Sequence, residues 1–225
     1  RTPINQLDDV TYMQDLTATQ CSDSYDGATA TLLDKRDNNS YKIAKINNNC
    51  WMTQNLRIAG GTTLDSVTSN VASNYYLPNN DLTKGDSYTE ARLHNSGDTT
   101  RGYWYNFCAT SAGTKCSNSD LNNTVYDICP KGWRLPTKAE ADAISDYSDS
   151  LYTVTFSPSS LGWYSKGSLD SSPMPAALWW TSTATSYGYG QYQITYGDRG
   201  DGFGYDYLGT GYIGGGSRTY GAYVR

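Results

Sequence analysis

The sequence predicts an α+β chain built on antiparallel sheets, with one or two helices and long loops. Three observations carry that prediction. Short alternating segments recur at Thr29-Ala30-Thr31-Leu32-Leu33, at Tyr41-Lys42-Ile43-Ala44-Lys45-Ile46 and again near the C-terminus. One helix signal stands clear, Lys138 to Tyr147. Strands and helices do not alternate with the regularity of a parallel βαβ sheet.

The first two strands flank the polar stretch Asp34 to Asn39, and Asn47-Asn48-Asn49 turns the chain into Cys50-Trp51-Met52. This spacing predicts a three-stranded meander whose hairpin buries one face. Upstream, Met13-Gln14-Asp15-Leu16 reads as a short helix or an anchor. Residues 57–100 are rich in Ser, Thr, Asn and Gly with weak periodicity, and read as long loops around at most one short helix. Gly102 to Phe107 (GYWYNF) is an aromatic cluster of the kind that fills cores. At Thr137, a T-x-x-E capping box opens the helix, and Ala141, Ile144 and Tyr147 fall on one face. Later segments alternate at Tyr152, Val154 and Phe156, at Tyr192, Ile194 and Tyr196, and at Phe203, Tyr205 and Tyr207. Leu178-Trp179-Trp180 is an apolar strand, and Tyr220, Ala222 and Val224 close the chain.

Composition narrows the function classes. The 225 residues carry 17% charged and 37% hydrophobic side chains and a net charge of -5. That is too aromatic for a disordered chain, and no apolar run approaches the ~18 residues of a membrane helix. An acidic chain is a poor partner for nucleic acid or anionic membranes. A single domain over 1–225 is expected, with no direct membrane insertion. The one histidine, His94, excludes zinc sites with several His ligands and two-histidine iron sites. Its setting, Arg92 to Ser96, has no nucleophile-elbow signal, so His94 reads as structural or surface-exposed.

The five cysteines, Cys21, Cys50, Cys108, Cys116 and Cys129, contain no C-x2-4-C zinc spacing. A surface vocabulary of Asn, Ser, Thr, Gly and Tyr with scarce Lys is that of an exported protein, where disulfides persist. Cys108 and Cys116 could close a local loop. Five cysteines nevertheless allow fifteen ways to make two pairs, and one is left over. The chain begins at Arg1 without Met or signal peptide, which reads as a mature or trimmed form.

The C-terminal segment differs from the rest. Tyr187 to Arg225 holds nine of the 21 tyrosines and twelve of the 22 glycines, with no Lys, Glu or Asn. All 16 asparagines lie between Asn5 and Asn123. Tyr, Gly, Ser and Asp are the vocabulary of antibody binding loops, because tyrosine offers a large amphipathic surface at low ordering entropy. The expected ligand-binding face is Tyr187, Tyr189, Tyr192, Tyr196, Asp198, Arg199, Asp201, Tyr205, Asp206, Tyr207, Tyr212 and Tyr220. The alternative is a Gly/Tyr-rich adhesive or structural tract whose rings stack on each other. Arg199-Gly200-Asp201 is an integrin-type tripeptide that chance supplies in so biased a segment. Asp198, Asp201 and Asp206 could ligate calcium, although their spacing matches no EF-hand or Gly-Gly-x-Gly-x-Asp repeat.

Several segments, in order, carry a family resemblance. They are Leu33-Asp34-Lys35-Arg36-Asp37, Tyr41, Ile46, Trp51-Met52-Thr53-Gln54-Asn55-Leu56, Tyr103-Trp104-Tyr105, Gly132-Trp133-Arg134-Leu135-Pro136-Thr137, Trp179-Trp180-Thr181-Ser182-Thr183 and Tyr223-Val224-Arg225. From about residue 13 to the end the chain resembles the Fibrobacter succinogenes major paralogous domain. That family is similar to the C-type-lectin-like fold in its formylglycine-generating-enzyme variant, in which W-R-L-P-T begins the second helix. The resemblance implies a variable protein of a diversity-generating retroelement. Adenine-directed mutagenesis there rewrites Asn codons in a C-terminal stretch, here about 180–225, into Tyr, Gly, Asp and Ser.

The resemblance also implies a non-enzymatic, cell-surface or secreted binder of an unknown protein or surface-glycan ligand. Formylglycine-generating enzymes need a C-terminal copper-binding cysteine pair, and no Cys follows Cys129. The related sulfoxide synthases need several histidines. The Glu-Pro-Asn, Gln-Pro-Asp and Trp-Asn-Asp calcium motifs of sugar-binding C-type lectins are missing. No cofactor is implied, and a calcium-dependent carbohydrate binder using the Asp198–Asp206 loop is the third reading. Family members commonly continue Val-Arg-Cys, which would give Cys129 a partner. The remaining pairing would then be Cys21 with Cys50 and Cys108 with Cys116. Trp133, Trp179 and Trp180 read as scaffold.

Overall fold

In the computed structural model, the described residues are 4–84, 89–95, 97, 102–117, 120, 122–145, 163–165, 168–170, 176–184, 190–196, 209–211 and 224. The N-terminal stretch winds through two 3-10 turns, Gln6–Asp9 and Met13–Asp15, and the helix α1, Ala18–Asp23. Met13 is fully buried, so the expected anchor is one. Sequence reading passed over α1, yet its start carries a T-x-x-Q signature. Thr17 Oγ1 accepts from the Gln20 N–H at 3.1 Å, and Gln20 Oε1 accepts from the Thr17 N–H at 3.0 Å. Such reciprocal caps hold helices too short to persist alone.

The meander forms as expected: β1 (Thr29–Leu33), β2 (Ser40–Ile46) and β3 (Asn49–Met52) make one antiparallel sheet in the order β1-β2-β3. Thr29 pairs with Ala44, and Ile46 with Asn49 across the turn. The hairpin does not bury one face only. Tyr41 and Ile43 join the main core with Leu32 and Met52, whereas Ala44 and Ile46 meet Trp51, Trp104 and Trp179 on the other side. Even Lys45 is buried, its ammonium donating to the carbonyls of Ser22 and Ser24 at 2.7 and 2.9 Å. Distant aromatic segments cover the face that a two-layer pattern would leave wet.

The middle of the chain holds more strand than its composition suggests. β4 (Thr63–Leu64) pairs with β5 (Tyr75–Tyr76), and β6 (Leu93–Asn95) with β7 (Tyr103–Tyr105), all antiparallel. The one short helix expected here is a 3-10 turn, Leu82–Lys84. The aromatic cluster is core: Trp104, Tyr105 and Phe107 are all buried. α2 (Phe107–Thr110) follows, its first turn capped by the Asn106 side chain, which accepts from the Ala109 N–H at 2.9 Å. α3 spans Lys138–Ser145, with Ala141 buried, while Tyr147 lies outside the described residues. The hairpin β8 (Trp163–Ser165) and β9 (Ser168–Asp170) precedes a sheet of β10 (Ala176–Ala184), β11 (Gly190–Tyr196) and β12 (Gly209–Gly211). The strands expected around Tyr152–Phe156, Phe203–Tyr207 and Tyr220–Ala222 lie outside the described residues.

Few short helices among several small antiparallel sheets make this an α+β arrangement. The disulfides are Cys21–Cys50, which ties α1 to β3, and Cys108–Cys116, which closes the loop after α2. Cys129 is free and buried, and burial pushes its thiol well up from the ordinary range. Two formed disulfides mark an oxidising compartment. Among the described residues no helix is long and apolar enough to cross a membrane.

Candidate functional site

The Tyr/Gly-rich segment grows out of β10, and β10 is built into the interior. Successive strand residues face opposite sides, and here both sides are covered. Trp180 packs against Phe107 with centroids 5.1 Å apart at 67°, and its indole N–H donates to the Tyr105 carbonyl at 2.8 Å. Trp179 sits edge-on to Trp51 at 6.3 Å and 78°. The reading of both tryptophans as scaffold holds.

The polar residues that follow lock the strand to the start of α3. Ser182 is buried; its N–H donates to the Pro136 carbonyl at 2.7 Å and its own carbonyl accepts from the Thr124 N–H at 3.0 Å. Thr183 Oγ1 accepts from the Lys138 N–H at 2.9 Å, satisfying one of the amides that a helix N-terminus leaves open. The capping box forms as expected: Thr137 Oγ1 accepts from the Glu140 N–H at 3.2 Å, and Glu140 Oε2 accepts from the Thr137 N–H at 2.8 Å. Arg134 completes the cluster with a bidentate pair to Glu140, at 2.9 and 2.7 Å. The Arg134 guanidinium holds the Glu140 carboxyl down at about 2. Just upstream, the buried Asp127 carboxylate accepts from the N–H groups of Leu135 and Cys129, both at 2.9 Å. Burial nevertheless pushes its pKa up.

The far end of the segment returns to the same core. Val224 is 0% exposed and belongs to the cluster that contains Trp180. Its carbonyl accepts from the Leu56 N–H at 2.9 Å, and the Leu56 carbonyl accepts from the Tyr103 N–H at 3.0 Å. Everything between 184 and 224 is thus held at both ends by one packed interior.

Of the twelve expected binding residues, two fall on described backbone. Tyr192 pairs with Trp180 on one side and with Gly211 on the other, and Tyr196 pairs with Ala176. The structure puts both on β11, and α3 packs against all three strands of that sheet. Tyr187, Tyr189, Asp198, Arg199, Asp201, Tyr205, Asp206, Tyr207, Tyr212 and Tyr220 lie outside the described residues. Sequence reading missed the clamp at Pro136 and Lys138 and the tie at Leu56. All three stand beside or within the motifs that carry the family resemblance, and that was the available signal.

His94 lies on β6, with Nδ1 3.1 Å from Asp81 Oδ1 and its ring 5.9 Å from that of Trp104. That is a structural setting at the surface. Among the described residues no group of three or more His, Cys, Asp or Glu is placed to hold a metal.

No curated protein and no solved structure matches the chain. The family model of the Fibrobacter succinogenes major domain matches residues 44–157, just over half of the 225. That stretch runs from within β2 past α3, through Trp51, Tyr103–Tyr105 and the Gly132–Thr137 entry to the helix. The chain is a member of the Fibrobacter succinogenes major domain family.

Proposed function

We propose that this protein is an exported, non-enzymatic ligand-binding module of C-type-lectin-like fold. Its hypervariable Tyr/Gly-rich face is diversified by a retroelement. One observation supports the reading: the Asn-free, Tyr/Gly-rich segment lies between Trp180 and Val224, two fully buried residues of a single core. A stretch held at both ends by a packed scaffold is the usual setting in which loop side chains vary. Tyrosines on such a stretch supply contact area with few torsions to order, and glycines let the backbone fit. The ligand is a protein or a surface glycan, met through the tyrosines from Tyr187 to Tyr220 and through Asp198, Arg199, Asp201 and Asp206.

The source locus tests the retroelement. A nearby near-copy of the codons for about residues 180–225, differing at adenines alone, supports it. Mismatches spread over all four bases, or no copy, sink it. A second measurement separates a binding face from a self-packed adhesive tract. Replacing Tyr192, Tyr196, Tyr205 and Tyr207 by Ser leaves the melting temperature within a few degrees if they serve a ligand, since surface changes cost within about 0.5 kcal/mol each. A collapse of the fold assigns them to an internal stack.

A further inference from the structure

Away from the C-terminal sheet, a groove of about 250 Å3 opens between α1, the β2–β3 turn and the Gly132–Pro136 stretch. Its volume lies just below the roughly 300–1,000 Å3 of drug-sized ligand sites, room for about one sugar-sized ring. The apolar part of its wall includes Leu16, Met52, Pro136 and the Cys21–Cys50 bridge with Trp51 and Trp133. Trp133 is half-buried, and its indole N–H donates to the Met13 carbonyl at 2.8 Å, which fixes the plane of the ring. Trp51 is only 7% exposed and is already engaged with Trp179. Of the two tryptophans in the wall, Trp133 is therefore the more exposed.

Besides Thr17, the polar part has two components. Asn48 and Asn49 stand exposed at the end of a tight hairpin, where Ile46 pairs with Asn49 and Asn47 takes a φ of 55°. Within the described residues their side-chain amides make no hydrogen bond, so four N–H donors and two carbonyl oxygens are available to a ligand. The other component is the Arg134–Glu140 pair, the only charged residues of the lining among the described residues. Their charges cancel, so nothing in the groove favours an anion or a cation.

A ligand that fits has one C–H face for a single aromatic ring and an edge of hydroxyls for amides, and it carries no charge. We infer that this groove is a calcium-independent site for one neutral pyranose ring, stacked on Trp133 and hydrogen-bonded by Asn48 and Asn49. It is independent of the Tyr/Gly-rich face, and either reading can fail without the other.

The test is a titration of the full chain with methyl β-D-glucopyranoside and methyl β-D-galactopyranoside in EDTA, followed by NMR of the Asn side-chain amides and the Trp indole N–H signals. Glucuronate and adenosine serve as charged and planar comparisons. The expected result is saturable shifts at Asn48, Asn49 and Trp133 with at least one neutral pyranoside. The double variant Asn48→Ala/Asn49→Ala then binds about tenfold or more weakly, the loss of one to two net hydrogen bonds. It keeps the parent melting temperature, since these amides bond nothing in the fold. Trp133→Leu abolishes binding, but it also removes the tie to Met13, so the asparagine variant decides. No saturable shift with either pyranoside overturns the assignment. So do shifts confined to the C-terminal tyrosines, unaltered affinity in the double variant, or tighter binding of adenosine or glucuronate.

Discussion

The indole N–H of Trp180 donates to the backbone carbonyl of Tyr105 across 2.8 Å of buried interior, 75 residues away in sequence. It joins β10, which leads into the Tyr/Gly-rich segment, to the aromatic cluster at the centre of the core. Trp180→Phe keeps a ring against Phe107 but removes the donor, and is expected to cost about 1–3 kcal/mol. Trp180→Ala adds a cavity, for about 3–5 kcal/mol. Urea denaturation measures both as a shift in midpoint at unchanged slope. A Phe variant as stable as the parent would show that the hydrogen bond contributes nothing net.

Arg36 and Asp34 form an ion pair with side chains 3% and 0% exposed. Gln14 also donates to Asp34 at 2.8 Å, and Arg36 Nη1 donates to the Ile128 carbonyl at 2.6 Å. Removing one partner strands a buried charge, so Arg36→Met and Asp34→Asn are each expected to cost about 3–5 kcal/mol. The double variant should cost less than their sum by roughly 1–3 kcal/mol. Strict additivity in a double-mutant cycle would sink this account of the pair.

Glu140 ties acid stability to the start of α3. Its pKa is about 2 in the folded chain against an ordinary 4.5. A carboxyl depressed by folding contributes stability above the unfolded value and loses it as pH falls through the folded one. The melting-temperature gap between the parent and Glu140→Gln should thus be constant from pH 7 to 4.5 and shrink from there toward pH 2. Arg134 is 56% exposed, so solvent screens the pair, and cap and ion pair together contribute about 1 kcal/mol. A gap that persists unchanged at pH 2 would place the stabilisation elsewhere.

Local chemistry is what made parts of this fold legible in advance. The T-x-x-E box at Thr137, the alternation in β1 and β2, and the Asn47–Asn49 turn each act within a few residues, and each forms. The second buried face of β2 was not legible, because Trp104 and Trp179 cover Ala44 and Ile46 from far along the chain. Lys45 reads as a surface residue until the Ser22 and Ser24 carbonyls are brought to it. The candidate face was legible as a break in composition. Of its anchors, Trp180 was legible as scaffold, whereas the tie from Val224 to Leu56 leaves no periodic trace. The groove was hidden for the same reason: Trp133 and Met13 are 120 residues apart.

Gly102 tests how tightly the exit of the Tyr/Gly-rich segment is built. It sits at φ +80° just before β7, and an added Cβ would press on Asn55 Cβ and lie 3.0 Å from the Asn55 carbonyl oxygen. Gly61 has nearly the same conformation, φ +86°, with nothing within 4 Å of an added Cβ. Gly61→Ala is therefore expected to cost only the left-handed strain, about 1–2 kcal/mol. Gly102→Ala must also move Asn55, which is buried, and is expected to cost at least about 3 kcal/mol. The displacement should travel further. Leu56, next to Asn55, receives the Tyr103 N–H and gives its own N–H to Val224. Hydrogen exchange at the Leu56 amide should accelerate in Gly102→Ala by more than the global loss of stability accounts for, and should follow that loss alone in Gly61→Ala. Equal costs for the two variants would mean that the approach of Gly102 to Asn55 is looser than 3.0 Å, and that Val224 is not held through this contact.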